Sequence, residues 1–309
     1  MHLSPEIIEM LACPICKTDL DDLRCLRCDV SFPEVDGVPV LINEANSLFD
    51  IETFTKRSET TYKNTVAWKT TLKALIPSIS ININAEKNLE NFFANLSTEG
   101  AEPRVLVIGG AVSGKGFSAM PEHITLVETD VAFGPRTSLI CDAHDLPFSN
   151  GSFDGVVAQV VLEHVLDPFQ CVNEIYRVLK KDGVVYAETP FMQQVHSGRY
   201  DFLRFSHLGH RYLFRNFSEI DSGPTCGPGM VLAWTFCYFL QSFFSNKTLG
   251  QMAFFGASFG VFWLKYLDYF LVKKPNAYDA SSCYFFLGRR SETILAGRDL
   301  IAGYRGMIY

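Results

Sequence analysis

The stretch from Arg104 to Asp130 constrains the fold most, because it has the pattern of a strand, a glycine-rich turn, a helix and a second strand. Val105 to Ile108 is a short apolar run rich in β-branched residues, which fits a strand buried on both faces. Gly109 and Gly110 follow at once, and glycines there let the backbone turn sharply and approach a ligand closely. The helix after the turn would point its first N–H groups at that ligand. The pattern therefore predicts a nucleotide-type site.

The glycine-rich turn leaves several ligands open. Glu128 lies nineteen residues after Gly109, close to the spacing at which a carboxylate meets ribose hydroxyls. A P-loop fits GGAVSGKG, except that Gly116 stands where Ser or Thr must supply a magnesium-binding hydroxyl. A dinucleotide fingerprint fits through Gly109 and Gly114, except that Ala111 replaces the middle glycine. S-adenosylmethionine has no phosphate and needs no phosphate cradle, and a turn that binds nothing is the fourth alternative.

Composition limits the class of protein. At 309 residues the chain has room for about two domains, and its 48% hydrophobic content allows a sizeable core. The 34 acidic and 27 basic residues give a net charge of −7, which argues against an extended nucleic-acid-binding face. The start, MHLSPEIIEM, lacks the basic and apolar regions of a signal peptide. Four of the nine cysteines cluster near the start, which favours a metal site in a reducing compartment, so we expect a cytoplasmic protein.

Residues 1–45 form a candidate zinc module with two C-x-x-C pairs. Cys13 and Cys16 make one pair and Cys25 and Cys28 the other, so four thiolates can surround a tetrahedral zinc ion. Four cysteines leave no open coordination position, and so short a module would need the metal for stability, which indicates a structural role. CPIC and CLRC followed by FPEVDGVPVLI resemble the small zinc-ribbon proteins that accompany tRNA and protein methyltransferases.

The rest of the chain alternates predicted strands and helices. Residues 46–100 are predicted to form a linker with capping helices, of which NAEKNLENFFANL is amphipathic. Strands are predicted at Leu139–Cys141, Phe153–Val157 and Val184–Ala187, with an amphipathic helix before the last. This alternation predicts a doubly wound α/β sheet.

The order VLVIGG, LVETD, CDAHDLPFSNGSFDGVVAQVVLEHV and YRVLKKDGVVYAETP resembles a class I S-adenosylmethionine-dependent methyltransferase over residues 104–190. The resemblance implies a Rossmann-like, mostly parallel sheet whose last strand, SSCYFFLGRR, is antiparallel. It implies that the glycine loop wraps the methionine portion, that Glu128 holds the ribose hydroxyls and that Asp142 accepts from the adenine amino group. Ala143 would add a backbone N–H, and Gln159 would face the sulfonium and the substrate. The implied cofactor-binding residues are Gly109, Gly110, Ala111, Glu128, Asp142, Ala143 and Gln159.

Two hypotheses about activity follow. The family usually has an acidic residue where this chain has Val107, so a non-catalytic binding or activating protein stands beside the methyltransferase. The (D/N)-P-P-(Y/F) motif of exocyclic-amine N-methyltransferases is replaced by AQVV, and RFS with G-x-R-x-L-F resembles enzymes that act on sugars or small metabolites. We therefore expect O-methylation of a small metabolite or glycan. His196 and His207, after the fifth strand, are the candidate catalytic bases.

Residues 224–279 are predicted to form a helical insertion in the 101–290 domain, before a tail over 291–309. Its stretches Met230–Phe244 and Met252–Val272 are very aromatic. The second reaches membrane-span length but contains Lys and Asp, which are costly in a bilayer. We expect buried or homo-oligomer-interface helices, with peripheral membrane contact through residues 230–272 and a membrane span as alternatives.

Overall fold

The structure is a computed structural model that describes residues 3–56, 77–97, 102–111, 114, 116–117 and 120–307. Its strands are β1 (Arg24–Cys25), β2 (Val30–Ser31), β3 (Glu34–Val35), β4 (Val38–Leu41), β5 (Arg104–Ile108), β6 (Thr125–Asp130), β7 (Leu139–Cys141), β8 (Phe153–Gln159), β9 (Leu179–Pro190), β10 (Phe217–Cys226) and β11 (Cys283–Arg290). Nine of them form one sheet in the order β10-β11-β9-β8-β5-β6-β7-β4-β3, and β1 pairs with β2 separately. The strands from β9 to β4 run parallel, and β11 is antiparallel to β9. The predicted Rossmann-like, mostly parallel sheet with an antiparallel last strand is confirmed.

The helices pack around this sheet. They are α1 (Pro5–Ile8), α2 (Ile51–Thr55), α3 (Ala85–Ala94), α4 (Pro168–Val178), α5 (His207–Leu213), α6 (Pro228–Gln241), α7 (Lys247–Val261), α8 (Leu264–Leu271), α9 (Ala277–Ala280) and α10 (Gly297–Ala302). The predicted amphipathic helix of the capping segment is α3. The helix predicted directly after the glycine turn falls largely on residues outside those described.

Strand β5 shows why the central strands read as continuous apolar runs. Leu106 and Ile108 point into one core cluster, and Val105 and Val107 point into a second cluster on the opposite face. Helix α4 covers the first face and α3 the second, with buried apolar side chains from each helix in the matching cluster. Because both faces of the strand are buried, its side chains do not alternate between apolar and polar, and the sequence is a continuous apolar run.

The N-terminal module continues the edge of the same sheet. Strand β4 is buried along its whole length and pairs in parallel with β7, with Val40 opposite Ile140 and Leu41 opposite Cys141. The sequence predicts a ribbon over residues 1–45 but contains no sign of this pairing. The chain that leaves β4 therefore passes directly over the carboxyl end of β7.

The helical insertion begins at Pro228, because β10 continues through Cys226. The stretch predicted as one aromatic segment is divided between α7 and α8, and no helix among the described residues is long and apolar enough to cross a membrane. The two charged residues of this stretch stabilise its packing. Lys265 donates to the backbone oxygen of Ser78, and Asp268 accepts three backbone N–H groups at the start of α6. The described helices thus give no support to a membrane span.

Large aromatic side chains nevertheless remain exposed on this insertion. Phe239, Phe243 and Phe270 are 57%, 68% and 63% exposed. Oligomerisation or membrane contact through residues 230–272 stays a prediction.

Candidate cofactor cleft

A cleft of about 260 Å³ lies at the carboxyl ends of β5, β6 and β7 and beside the residues that follow β8. The chain leaves β5 towards β6 on one side and leaves β8 towards β9 on the other, so the strand order reverses between the neighbours β5 and β8. Open parallel sheets bind ligands in the crevice at such a point.

The glycine turn after β5 forms one wall of the cleft. Gly109 has a φ of +75°, and a Cβ there would lie 2.5 Å from Cγ2 of Val161. The backbone N–H of Gly110 donates to the carbonyl oxygen of Thr129 at 2.8 Å, which ties the turn to β6. Ala111 follows and lines the cleft. The chain can pass this close to a ligand because the first position of the turn carries no side chain.

Asp130 supplies a carboxylate to the cleft from the end of β6. The register pairs Ile108 with Thr129, so Asp130 lies level with the glycine turn and accepts the N–H of Ala111 at 3.0 Å. Burial raises the pKa of Asp130 to about 6, although backbone N–H groups act in the opposite direction. The site therefore contains a partly desolvated carboxylate that further hydrogen-bond donors would stabilise.

Glu128, predicted to hold the ribose hydroxyls, points elsewhere. The Glu128 carboxylate is buried and pairs with Nε of Arg136 at 2.6 Å. Glu128 is not among the described residues that line the cleft. Glu128 precedes Asp130 by two residues, or roughly 6.6 Å along a strand. Of the two carboxylates, Asp130 is among the described residues that line the cleft and Glu128 is not, and the role of Glu128 at the ribose stays a prediction.

Asp142 lines the cleft just after β7 and holds a small hydrogen-bond network. Its Oδ1 accepts the backbone N–H of His144 at 3.0 Å and lies 2.6 Å from the Nδ1 of the same histidine, while Oδ2 accepts the Ser47 hydroxyl at 2.6 Å. Nε2 of His144 accepts the N–H of Asp167 at 3.1 Å, so Nδ1 carries the proton. Burial acts to raise the pKa of Asp142, but these donors outweigh it and hold the pKa below its usual value. Ala143 lines the cleft beside it.

Two other predicted cofactor contacts do not line the cleft. Gly110 and Gln159 are not among the described lining residues. Gln159 ends β8, and a Cβ on Gly114 would lie 2.2 Å from its Oε1, so this side chain packs against the glycine-rich loop. The cleft thus brings together Gly109, Ala111, Asp142 and Ala143 of the predicted set, and the roles of all seven residues stay predictions.

Further lining residues come from the loops after β4, β8 and β9, and the sequence analysis assigned only the last of these to the site, through His196. Leu48 and Phe49 follow β4, and the ring of Phe49 lies 5.6 Å from the ring of Tyr200, centroid to centroid. His164 and Ser197 line the cleft next to Tyr200, and Nε2 of His164 lies 3.2 Å from Nε2 of His196. His196, a predicted base, therefore stands at the border of the cleft.

His207, the second predicted base, is placed in the core. It is buried, its Nε2 lies 3.3 Å from the Ser222 hydroxyl, and its ring packs against Tyr278 and Tyr284. Burial lowers the pKa of His207 to about 4. It is not among the described residues that line the cleft, so this position does not support a catalytic role.

The four N-terminal cysteines converge, which fits the predicted zinc site. The Sγ atoms of Cys13, Cys16, Cys25 and Cys28 lie within 4.8 Å of one another, and all four are free thiols. Thr18 lies 3.0 Å from the sulfur of Cys16, and this contact lowers the pKa of that thiol to about 6. Thiolates are the form that binds zinc, and a Cys₄ set is a structural zinc donor set.

Residues 116–187 match the family model described as a methyltransferase domain. The match supports a methyltransferase. The matched span contains β6, β7, β8 and most of β9, but begins after the turn formed by Gly109 to Ala111. The methyltransferase match therefore covers less than half of the chain and leaves the N-terminal module and the helical insertion outside. No curated protein sequence matches the chain significantly.

Solved structures similar to the chain include several methyltransferases. One is a Haemonchus contortus phosphoethanolamine N-methyltransferase 2 in complex with S-adenosyl-L-methionine, at 17% identity, 67% coverage of this chain, 53% of that chain and a TM-score of 0.42. Another is the complex between the Haloferax volcanii Trm112 methyltransferase activator and a candidate methyltransferase, at 17% identity, 68% and 91% coverage and a TM-score of 0.41. A third is a geranyl diphosphate C-methyltransferase from Streptomyces coelicolor, at 13% identity, 66% and 75% coverage and a TM-score of 0.39.

Proposed function

We propose that the chain is an S-adenosylmethionine-dependent methyltransferase that methylates an oxygen of a small metabolite or glycan. The observation that carries the proposal is the cleft at the ends of β5 to β7, bounded by the Gly109 turn and by the carboxylates of Asp130 and Asp142. A structural zinc ion in the four-cysteine cluster is part of the proposal.

The charge of the cleft argues against the phosphate-containing alternatives. Among the described residues that line it, two are Asp and none is Lys or Arg. A pyrophosphate or triphosphate group would therefore meet like charges, with no cation among the described lining residues to offset them. S-adenosylmethionine supplies a methyl group on a positively charged sulfonium, which suits an acidic cleft.

Asp130 suits a ribose diol. The groups that favour its ionised form are backbone N–H groups of Ala111, Val131 and Ala132, and burial still leaves the pKa of this carboxylate raised. Two hydroxyl donors would stabilise the ionised carboxylate further, because hydrogen bonds to the charged form lower a pKa.

Asp142 and Ala143 suit the adenine end. The Oδ2 atom of Asp142 accepts from Ser47 and keeps acceptor capacity for an amino group, since a carboxylate oxygen has two lone pairs. The apolar side chains of Val131, Val160 and Val161 line the same cleft and would exclude water from the bound ligand.

The acceptor would enter beside His164, Ser197 and Tyr200, which line the cleft. Methyl transfer requires alignment of the nucleophile with the sulfonium, so positioning supplies most of the rate enhancement. A hydroxyl acceptor also has to lose its proton, which is consistent with imidazole groups at this border.

The test is product formation with hydroxyl and amine acceptors. We expect the purified chain to release S-adenosylhomocysteine in the presence of hydroxyl-bearing metabolites or glycans. Asp142→Ala should weaken cofactor binding by about 1–3 kcal/mol, through loss of a buried hydrogen bond. Turnover on amines but on no hydroxyl acceptor would contradict O-methylation, and unchanged cofactor affinity in Asp142→Ala would contradict the role of Asp142.

A second candidate is a non-catalytic binding or activating protein. The observation that favours it is Val107, an apolar residue buried in β5 where the family usually has an acid. Binding of S-adenosylhomocysteine without turnover on any acceptor would favour this candidate.

A further inference from the structure

Glu163, His164 and His196 form a cluster at the border of the cleft that neither the cofactor site nor the zinc module uses. We propose that these three side chains bind a divalent transition-metal cation, with Zn²⁺ as the best-suited ion. Oε1 of Glu163 and the two Nε2 atoms all lie within 4.8 Å of one another.

The separations between the three ligand atoms fit one ion at their centre. The two Nε2 atoms are 3.2 Å apart, and Oε1 of Glu163 is 3.5 Å from each. Zinc–nitrogen and zinc–oxygen bonds of about 2.0–2.2 Å in tetrahedral geometry place neighbouring ligand atoms roughly 3.3–3.6 Å apart. The three atoms therefore surround an ion without a change in backbone position.

At both imidazoles, Nδ1 faces an oxygen atom and Nε2 faces the centre of the cluster. Nδ1 of His164 lies 2.6 Å from the carbonyl oxygen of Tyr200, so Nδ1 is the donor and Nε2 presents its lone pair. Nδ1 of His196 lies 3.4 Å from Oδ2 of Asp201, which Arg204 holds at 2.8 Å. A carboxylate behind a metal-binding histidine is a common arrangement that fixes the tautomer and the ring orientation.

Glu163 gives independent evidence for a cation. Its side chain is fully buried, and neither carboxylate oxygen has a donor closer than the two Nε2 atoms at 3.5 Å in the part of the chain that the structure describes. A buried carboxylate without donors is costly, whereas a metal ion bound to it removes that cost. The two imidazoles are its nearest basic groups.

The position of the cluster gives the ion access to the cleft. His164 and Ser197 line the cleft, and the Ser197 hydroxyl is 3.3 Å from Nε2 of His164. Three protein ligands leave one tetrahedral position open, as in zinc sites that bind water or substrate. If the proposed function holds, that position would take an oxygen of the acceptor. His196 is then a ligand and not the general base that the sequence suggests.

The test measures metal content and needs neither cofactor nor acceptor. The full chain is dialysed to equilibrium against buffered micromolar Zn²⁺, and the zinc bound per chain is measured by mass spectrometry. We expect two zinc ions in the wild type, one in the cysteine cluster and one here. His196→Ala, at an exposed residue, and Glu163→Gln should each bind one ion fewer than the wild type.

His123→Ala is the matched control, because His123 is an exposed histidine outside the cluster, and its zinc content should equal that of the wild type. Equal zinc content in the wild type and in His196→Ala would overturn the proposal. Cys25→Ser separates the two sites, since it should remove the cysteine-bound ion and leave the one that depends on His196. An intact second ion in a protein that binds no S-adenosylhomocysteine would leave this inference standing while the proposed function failed.

Discussion

Gly109 combines a left-handed backbone with a neighbour that leaves no room for a side chain. Its φ is +75°, and an added Cβ would lie 2.5 Å from Val161, a residue of the cleft wall. The turn therefore depends on this one glycine, both for its conformation and for the space in front of β5.

We expect Gly109→Ala to lower the free energy of unfolding by about 2 kcal/mol, because it adds backbone strain and a steric contact. Urea denaturation measures this change. Gly256→Ala is the matched control: Gly256 lies within α7, and nothing lies within 4 Å of an added Cβ. Alanine there should raise the helix stability by up to about 1 kcal/mol. Equal effects of the two substitutions would contradict the account of the turn.

Asp130 makes stability depend on pH in a direction opposite to most carboxylates. Its folded pKa is about 6, above the ordinary value of 3.8, so the folded chain binds the proton more tightly than the unfolded chain. Its contribution is therefore most favourable at low pH and is lost as the pH rises through 6.

Asp130→Asn should remove this loss, because asparagine resembles the protonated carboxyl and can still accept from Ala111. We expect the variant to be more stable than the wild type at pH 7–8 by about 3 kcal/mol, and so to unfold at a higher temperature, with the difference vanishing near pH 4. Thermal unfolding across pH measures it. If Asp130→Asn were less stable than the wild type at pH 8, the raised pKa of Asp130 would be refuted.

The sequence located the site better than it located the individual contacts. Four of the predicted residues line the cleft, namely Gly109, Ala111, Asp142 and Ala143. They could be predicted because each follows the end of a strand, and the end of an apolar run marks a strand end in the sequence. Spacing could not separate Glu128 from Asp130, since two residues differ only in their level along a strand. The register of β5 with β6 sets which of the two lies level with the glycine turn, and no local pattern encodes that register.

Among the elements, β4 links the N-terminal cysteine module to the cleft. It is the neighbour of β7 in the sheet, and the segment after it brings Ser47 to Asp142 and Phe49 to the cleft. The four cysteines hold the turns that precede this strand. Zinc binding would thereby stabilise the edge of the sheet and one wall of the site together.

We expect Cys25→Ser to lose the cysteine-bound zinc ion, to lower the unfolding temperature and to weaken S-adenosylhomocysteine binding, since the folding of a zinc module depends on its metal. Metal analysis, thermal unfolding and calorimetry measure the three effects. Cys237→Ser is the control, a buried free cysteine in α6 away from the cluster. Loss of the cysteine-bound zinc ion with unchanged cofactor affinity in Cys25→Ser would show that the module is not coupled to the site.

Long-range pairing and helix breaks are where sequence reasoning about elements fails. The central strands and α3 follow from periodicity, which is a local property. The pairing of β4 with β7 joins residues about a hundred positions apart, and the break between α7 and α8 lies within the apolar run Val261 to Leu264. Continuous hydrophobicity does not show where a helix ends.

At the scale of the whole molecule, the sheet places the cleft where its strand order reverses. The described lining is mostly apolar, and its two charged carboxylates are Asp130 and Asp142. That location follows from the α/β pattern and from the resemblance of residues 104–190, so it was predictable. The border formed by Glu163, His164 and His196 was not, because two adjacent residues and one 32 positions later meet only in the folded chain.

The central claim is that this cleft binds an adenosine cofactor without phosphates. The most direct measurement is calorimetric titration of the zinc-loaded chain with S-adenosylhomocysteine, with NAD and Mg-ATP titrated in parallel. We expect micromolar binding of S-adenosylhomocysteine and no binding of the two phosphate-containing ligands. Binding of NAD or ATP, or no binding of S-adenosylhomocysteine, would contradict the account.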